Sequence, residues 1–282
     1  MLAIFQRKLF KNGLMILGWG IGLALLGYFL FDIYESLFVM DADLQAIMNA
    51  FPEEMLAFFG GDVDIFDPEG WLHLEFFSYI PIILGLVVVS GATRLIVKNE
   101  ERGTLELILA QPISRSAVFW SKLAALIVTL ILILAITWGG FVFGLANTDG
   151  FNLEQGQLIR PFVSLFAILL FFLSLSLMLS MILPTSGSAS MVTNLVLIAS
   201  FFITSLAQIY DRLEPLNRYS PLRYYQGGRA LSGYNIEYLI ILFGISVLFI
   251  GLSWFLFEKR DLHFGGTGWI SFALKRKCDH TG

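Results

Sequence analysis

Long apolar segments divide this chain into regular parts. Six stretches consist mostly of Leu, Ile, Val, Phe and Ala over about 20 residues, which is the length that an α-helix needs to cross a bilayer. They cover residues 13–31, 76–96, 118–145, 162–183, 191–210 and 238–257. These stretches are apolar on every face rather than at alternate positions, which favours helices over the strands of a membrane barrel. The pattern predicts an all-α integral membrane protein with six transmembrane helices.

The composition fits a protein surrounded by lipid. Hydrophobic residues make up 57% of the 282 residues and charged residues only 14%, whereas soluble domains carry roughly 25% charged residues. The net charge of -4 excludes a strongly basic nucleic-acid binder. Three scattered histidines and a single cysteine, Cys278, predict neither a metal site nor an internal disulfide.

The central parts of the six predicted spans contain no Asp, Glu, Lys, Arg or His. Ion-coupled transporters commonly need such a group to carry the coupling ion, because a charge in the bilayer is retained mainly where function requires it. An intramembrane protease needs an activated nucleophile or a carboxylate pair. The absence of these groups argues against both classes.

Charge in the connections predicts the orientation. Thirteen Lys and Arg residues lie on the side of the two termini and five on the other side. The positive-inside rule therefore places both termini in the cytoplasm of a multi-pass protein of the cell membrane. The whole chain, residues 1–282, is predicted to form one membrane domain. Its other segments are an acidic external connection at 32–75, a cytoplasmic segment at 98–115, an external or re-entrant segment at 211–237 and a cytoplasmic tail at 258–282.

The first twelve residues follow a pattern of their own. Leu2, Phe5 and Leu9 fall on one helical face, and basic residues lie beside that face. This arrangement is typical of an amphipathic helix on the inner membrane surface, which we predict for residues 1–12. A helical extension of the first span is the alternative.

The segment between the second and third spans has the most specific pattern. Thr104 can cap a short helix, and Pro112 can end it because proline lacks an amide hydrogen. Leu105, Ile108 and Leu109 form an apolar stripe at helical spacing. Such a short helix can dock into a groove on another protein or rest on lipid head groups, and the pattern alone does not decide between them.

This segment resembles the permease subunits of type-2 ABC exporters. The resemblance rests on the run Glu100-Glu101-Arg102-Gly103-Thr104-Leu105-Glu106, continued by Gln111-Pro112-Ile113-Ser114-Arg115. In that family a glutamate-containing, Gly-Thr-Leu-rich segment forms the coupling helix against the nucleotide-binding subunit. The implied coupling residues are Glu100, Glu101, Arg102, Gly103, Thr104, Leu105, Glu106, Ile108, Leu109, Pro112 and Arg115.

The resemblance extends over nearly the whole chain. The basic N-terminus, the larger first external connection and the Pro- and Tyr-containing stretch at 218–225 also match the family pattern. It implies a permease domain that forms the substrate path of an ATP-driven exporter. One chain of six spans is small for enclosing such a path, so we expect a second permease chain, identical or related. The resemblance does not reveal the substrate.

Nucleotide binding is expected on another chain. The sequence contains no phosphate-binding loop of the G-x-x-x-x-G-K-[ST] type. The prediction is therefore a non-enzymatic transport subunit without a cofactor of its own, with ATP and Mg bound by a partner ABC ATPase. The alternatives are a non-transport membrane scaffold or sensor subunit and a secondary transporter.

The polar run at 184–188 predicts a tight turn between the fourth and fifth spans, because Pro184 and Gly187 would break a helix. Mildly polar side chains also occur inside these two spans. Such groups can line a substrate path, or they can hydrogen-bond between packed helices. The pattern leaves both open. The candidate path residues are Ser174, Ser176, Asn194 and Thr204.

Overall fold

Helices form the framework of the protein. The computed structural model describes residues 2–39, 58, 67–95, 114–148 and 153–259. Within these ranges no strand occurs, and six helical stretches are long and apolar enough to cross a membrane. The predicted all-α class with six spans is confirmed.

The bounds of the helices follow the predicted spans closely. In chain order the α-helices of the described ranges are α1 (Leu2–Lys11), α2 (Gly13–Val39), α3 (Pro68–Leu72), α4 (Ile80–Thr93), α5 (Arg115–Ala146), α6 (Ile159–Ile182), α7 (Ser186–Leu206), α8 (Glu214–Asn217) and α9 (Ile236–Lys259). A π-helical turn, His73–Phe77, follows α3, and short 3-10 turns precede α9.

The largest difference from the sequence prediction lies in the second span. The candidate span is Pro68–Thr93, so it begins well before residue 76. Acidic residues interrupt the apolar pattern there, but the helix is held by packing. The indole nitrogen of Trp71 donates to the Leu30 carbonyl of α2 at 3.0 Å, and Leu72 is fully buried. The first and last residues of the predicted external connection at 32–75 are therefore helical, because α2 extends to Val39 and α3 begins at Pro68.

The turn between the fourth and fifth spans is shorter than predicted. The sequence indicated a polar turn over residues 184–188, whereas α7 already begins at Ser186. Thr185 is its N-cap, and its hydroxyl accepts from the Ser188 amide at 3.1 Å. Because glycine is tolerated in the first helical turn, Gly187 does not break the helix.

The helix α6 lies at the centre of the bundle, in contact with α4, α5, α7 and α9. Of the most apolar 18 residues of α6, 72% are buried. The N-terminal helices α1 and α2 pack along α5. The side-chain amide of Asn12, between α1 and α2, donates to the Thr129 hydroxyl of α5 at 3.2 Å. The position of α1 relative to the membrane surface stays a prediction, and so does the assignment of residues 1–12 as a surface helix.

Small residues bring α2 and α5 into backbone contact. A Cβ at Gly140 would lie 2.3 Å from the Ala24 carbonyl oxygen, and one at Gly27 would lie 2.2 Å from the Phe141 ring. Glycine at such positions lets helices in lipid approach closely, where packing rather than the hydrophobic effect drives association. The contact therefore depends on the absence of side chains at these points.

The segment between α7 and α9 folds back onto the bundle. The Tyr225 hydroxyl donates to the Phe77 carbonyl at 2.9 Å, and the Gln226 amide donates to the Ser164 hydroxyl of α6 at 3.0 Å. Ser164 lies past the first turn of α6. A re-entrant arrangement of residues 211–237 is compatible with them, and its depth in a membrane stays a prediction.

Candidate functional site

The predicted coupling residues belong to the connection between α4 and α5. Residues 96–113 lie outside the described residues, so the coupling roles of Glu100 to Pro112 stay predictions. Arg115, the first residue of α5, is described. The structure also describes the residues on either side of the connection, which are the end of α4 up to Leu95 and the start of α5 from Ser114.

A buried lysine joins these two flanks. Lys122, two turns into α5, donates its Nζ to the Leu95 carbonyl just after α4, at 3.2 Å. The lysine is only 7% exposed, and a buried ammonium is costly unless it is hydrogen-bonded. The contact therefore fixes the end of α4 against the first turns of α5.

Two serines organise the start of α5. The Ser114 hydroxyl accepts from the Ala117 amide at 3.2 Å and caps the helix. The Ser116 hydroxyl accepts from the indole nitrogen of Trp254 at 2.8 Å and donates to the Glu258 carboxylate. Since both partners of Ser116 lie on α9, the last turns of that helix are tied to the first turn of α5.

This end of the bundle carries a group of basic side chains. Burial, followed by the neighbouring charges of Lys11 and Arg94, lowers the pKa of Lys8. Lys122 lies on the helix that α1 contacts. The excess of positive charge among the described residues here is the pattern that the positive-inside rule associates with the cytoplasmic face.

Two of the four candidate path residues are buried inside α6. Ser174 donates to the Phe171 carbonyl of its own helix at 2.8 Å. Ser176 donates to the Val89 carbonyl of α4 at 3.3 Å. Both side chains are fully buried, so in this arrangement they serve helix structure and helix–helix contact. A role in a substrate path stays a prediction for both.

The other two candidates lie on α7, in different surroundings. Asn194 donates weakly to the Ser190 hydroxyl at 3.4 Å, and its amide oxygen is buried without a hydrogen-bond partner among the described residues. Thr204 donates to the Asn217 amide oxygen at 3.1 Å and lies 2.7 Å from the Ser220 hydroxyl. The structure thus joins Thr204 to the segment before α9 and does not bring the four candidates together.

Sequence reasoning missed three polar contacts that position these elements. They are Lys122 with Leu95, Asn12 with Thr129 and Ser116 with Trp254. A lysine inside the first turns of a long apolar helix is a signal that could have revealed the first contact. Asparagine and serine occur in many structural environments, so the sequence held no comparable signal for the contacts of Asn12 and Ser116.

The geometry defines a multi-pass helical membrane protein in which Lys122 of α5 is hydrogen-bonded to the chain just after α4, at Leu95. The family model described as "ABC-2 family transporter protein" matches residues 13–262. The chain therefore belongs to this family, the permease component of type-2 ABC transporters. A comparison with curated proteins finds no significant match.

Family membership establishes the general role of the chain. It is a membrane permease subunit of an ABC transporter. Subunits of this kind typically carry no ATPase site of their own. Membership also implies an ABC ATPase partner and a membrane setting.

Proposed function

We propose that this chain is the membrane-spanning subunit of an ATP-driven exporter and is coupled to a separate ATPase chain by the segment at 98–115. ATP and Mg are bound by that partner and not by this chain. The connections at the basic end of the bundle, with both termini, face the cytoplasm of the cell membrane. Two permease chains, identical or related, form the substrate path between them.

The observation that carries this proposal is the Lys122–Leu95 contact. It fixes the residue just before the connection, Leu95, to the helix that follows the connection, on the basic face of the bundle. A segment that must transmit force needs fixed ends, because a loosely attached segment would absorb the movement of its partner. Family membership supplies the ATPase as the partner that would exert this force.

The described contacts support a route for the movement into the membrane. A push on the connection reaches α4 and α5 together, since Lys122 joins them. It then reaches α9 through Ser116 and Trp254, and α2 through its close packing on α5. ATP binding can drive this change only if the ATPase holds the two permease states with different affinity.

The packing of one chain supports the proposed pairing of two permease chains. Most side chains of the central helix α6 are buried against neighbouring helices, including those of Ser174 and Ser176. A path is therefore expected between two chains rather than through the centre of one. Twofold assembly is also the commonest form of oligomer.

Substitutions in the connection test the coupling role. Glu100→Ala, Glu101→Ala and Leu105→Asp are each expected to weaken association with the ATPase or to uncouple its ATP hydrolysis, while the chain remains in the membrane. The measurement is purification of the tagged chain from its native membranes in mild detergent, with identification of co-purifying ATP-binding chains and an ATPase assay.

Matched controls lie at the opposite end of the bundle. Leu216→Asp changes an exposed leucine of α8, and Glu237→Ala changes an exposed glutamate at the start of α9. Both are expected to leave association and hydrolysis unchanged. Equal ATPase recovery and activity in the coupling variants and these controls would show that the segment at 98–115 is not the coupling element. An ATPase that never co-purifies would instead favour the scaffold or secondary-transporter alternatives.

A further inference from the structure

An apolar groove runs along the outer face of α2, near the end of the bundle that carries the basic side chains. Its volume is 430 Å³, and its lining extends over about 14 Å of helix. Two glycines leave this space open, since a Cβ added at Gly18 or Gly22 would meet nothing within 4 Å. The lining residues are Leu14, Met15, Gly18, Trp19, Gly22 and Leu23. A groove with these walls suits a hydrocarbon chain rather than a polar solute.

The exposed apolar surface continues from the groove onto α1. Phe10 and Leu14 lie on either side of the break between α1 and α2, and each is 86% exposed. The break itself is held in place by Asn12. Its carbonyl accepts from the Ile16 amide at 2.9 Å, and its side chain donates to the Thr129 hydroxyl of α5 at 3.2 Å. The start of the groove and the end of α1 are therefore tied to the same point of the bundle.

Three basic side chains lie together beside the start of the groove. Lys11 is the last residue of α1 and Arg94 follows the end of α4, and both are exposed. Lys8 is half-buried, about one turn before Lys11. Burial, followed by the charges of Lys11 and Arg94, lowers the pKa of Lys8, whereas a neighbouring carboxylate would raise it. Together these three residues form a basic cluster.

The donors of the basic cluster are not used within the part of the chain that the structure describes. No oxygen of that part accepts a hydrogen bond from Lys8, Lys11 or Arg94, and no carboxylate there pairs with them. Lys122 adds a further positive charge that acts on Lys8, but its Nζ donates to the Leu95 carbonyl and is not an available donor. Because like charges held together repel one another, an anion placed among them is stabilised.

We propose that the groove on α2 and the basic cluster form a binding site for one anionic phospholipid, with an acyl chain along Gly18 and Gly22 and the phosphate beside the cluster. Basic residues next to a membrane helix attract anionic head groups, and a phospholipid joins such a head group to a chain that fits the groove. A second copy of this chain in the groove would bring a second basic cluster to the same end, which repulsion disfavours. The proposal depends neither on ATPase coupling nor on transport.

Lipid binding to the full chain in mild detergent tests the proposal. The chain is titrated with phosphatidylglycerol or with neutral phosphatidylcholine, and native mass spectrometry counts the lipids bound per chain. Lys8→Gln and Arg94→Gln each remove one cation, and Gly18→Leu fills the groove without meeting a neighbour. Arg212→Gln is the charge control, because Arg212 is exposed between α7 and α9. Gly251→Leu is the groove control, because Gly251 is an equally open glycine of α9.

The expected result is a single phosphatidylglycerol that binds more tightly than phosphatidylcholine. Its affinity should fall about fivefold in Lys8→Gln and in Arg94→Gln and about tenfold in Gly18→Leu, with both controls unchanged. Every variant is first checked for a monodisperse size-exclusion peak, and Gly22→Leu is a second variant that fills the groove.

Three results would overturn the proposal. The first is equal affinity for the two lipids. The second is binding of phosphatidylglycerol that neither groove variant weakens, since the charges alone would then account for it. The third is a dimer that Gly18→Leu dissociates while lipid binding stays the same, which would assign the groove to a second copy of the chain.

Discussion

The helices α6 and α9 are nearly indistinguishable in sequence character but lie in opposite environments. Each has 24 residues, and the two are almost equally apolar. Yet 72% of the most apolar 18 residues of α6 are buried by the protein, against 22% for α9. Lipid tails and a protein core are both apolar, so hydropathy predicts that a helix crosses the membrane without predicting what it touches.

The difference becomes visible at the level of single positions. In α6, Ala167 and Leu169 have no exposed surface at all. In α9, a Cβ added at Gly244 or Gly251 would meet nothing within 4 Å. The two helices should therefore respond differently to the same kind of substitution, which allows the comparison to be tested.

The largest effect is expected from added volume. Ala167→Phe inserts a ring where neighbouring side chains already fill the space, and overpacking of this kind costs about 3 kcal/mol. Gly244→Phe places the same ring on the open face of α9 and should leave stability unchanged or slightly raised. The measurement is thermal unfolding in detergent, followed by loss of the monodisperse size-exclusion peak. Equal midpoints for the two variants would mean that α6 is not the packed centre.

Two neighbouring glycines of α5 allow packed and open positions to be compared within one helix. Gly140→Ala places a methyl group against the backbone of Ala24 and should separate α2 from α5, at a cost of about 2 kcal/mol. Gly139→Ala meets nothing within 4 Å and should be neutral. The same thermal assay applies, combined with cysteine cross-linking between α2 and α5. Unchanged cross-linking in Gly140→Ala would contradict the close approach.

The smallest effect is expected from single hydroxyl groups. Ser176 donates across to the Val89 carbonyl of α4, whereas Ser246 donates to the Leu242 carbonyl within α9. Interhelical hydrogen bonds in membrane proteins contribute about 0.6 kcal/mol, so Ser176→Ala should lower the unfolding midpoint slightly and Ser246→Ala less. Averaged repeat unfolding curves are needed to resolve this difference. A larger loss in Ser246→Ala would reverse the assigned roles.

Most of the fold could be predicted from the apolar pattern, and the exceptions have physical reasons. The start of the second span was placed at residue 76 because Glu69 and Glu75 interrupt the pattern, although buried neighbours such as Leu72 continue the helix back to Pro68. Gly187 was assigned to a turn because glycine often ends helices, but the Thr185 cap starts α7 before it.

The candidate site could be predicted only in part. The motif between the second and third spans indicated the family, which the match over residues 13–262 confirms. The grouping of Ser174, Ser176, Asn194 and Thr204 as path residues rested on polarity alone. Polarity does not report distance, and the structure distributes these residues between the inside of α6 and two parts of α7.

The sequence by itself determined the number of spans, their helical character and the family. The spans depend on continuous apolar runs that suit lipid, and the family was indicated by a contiguous motif. Only the tertiary structure decided that α6 is central and α9 peripheral, that Lys122 joins α4 to α5, and that His73 meets Gly228 across 155 positions of chain. These features depend on which apolar surfaces meet. Lipid tails and apolar protein surfaces are equally favourable surroundings for an apolar helix face. Close packing and a few buried hydrogen bonds therefore decide which faces meet.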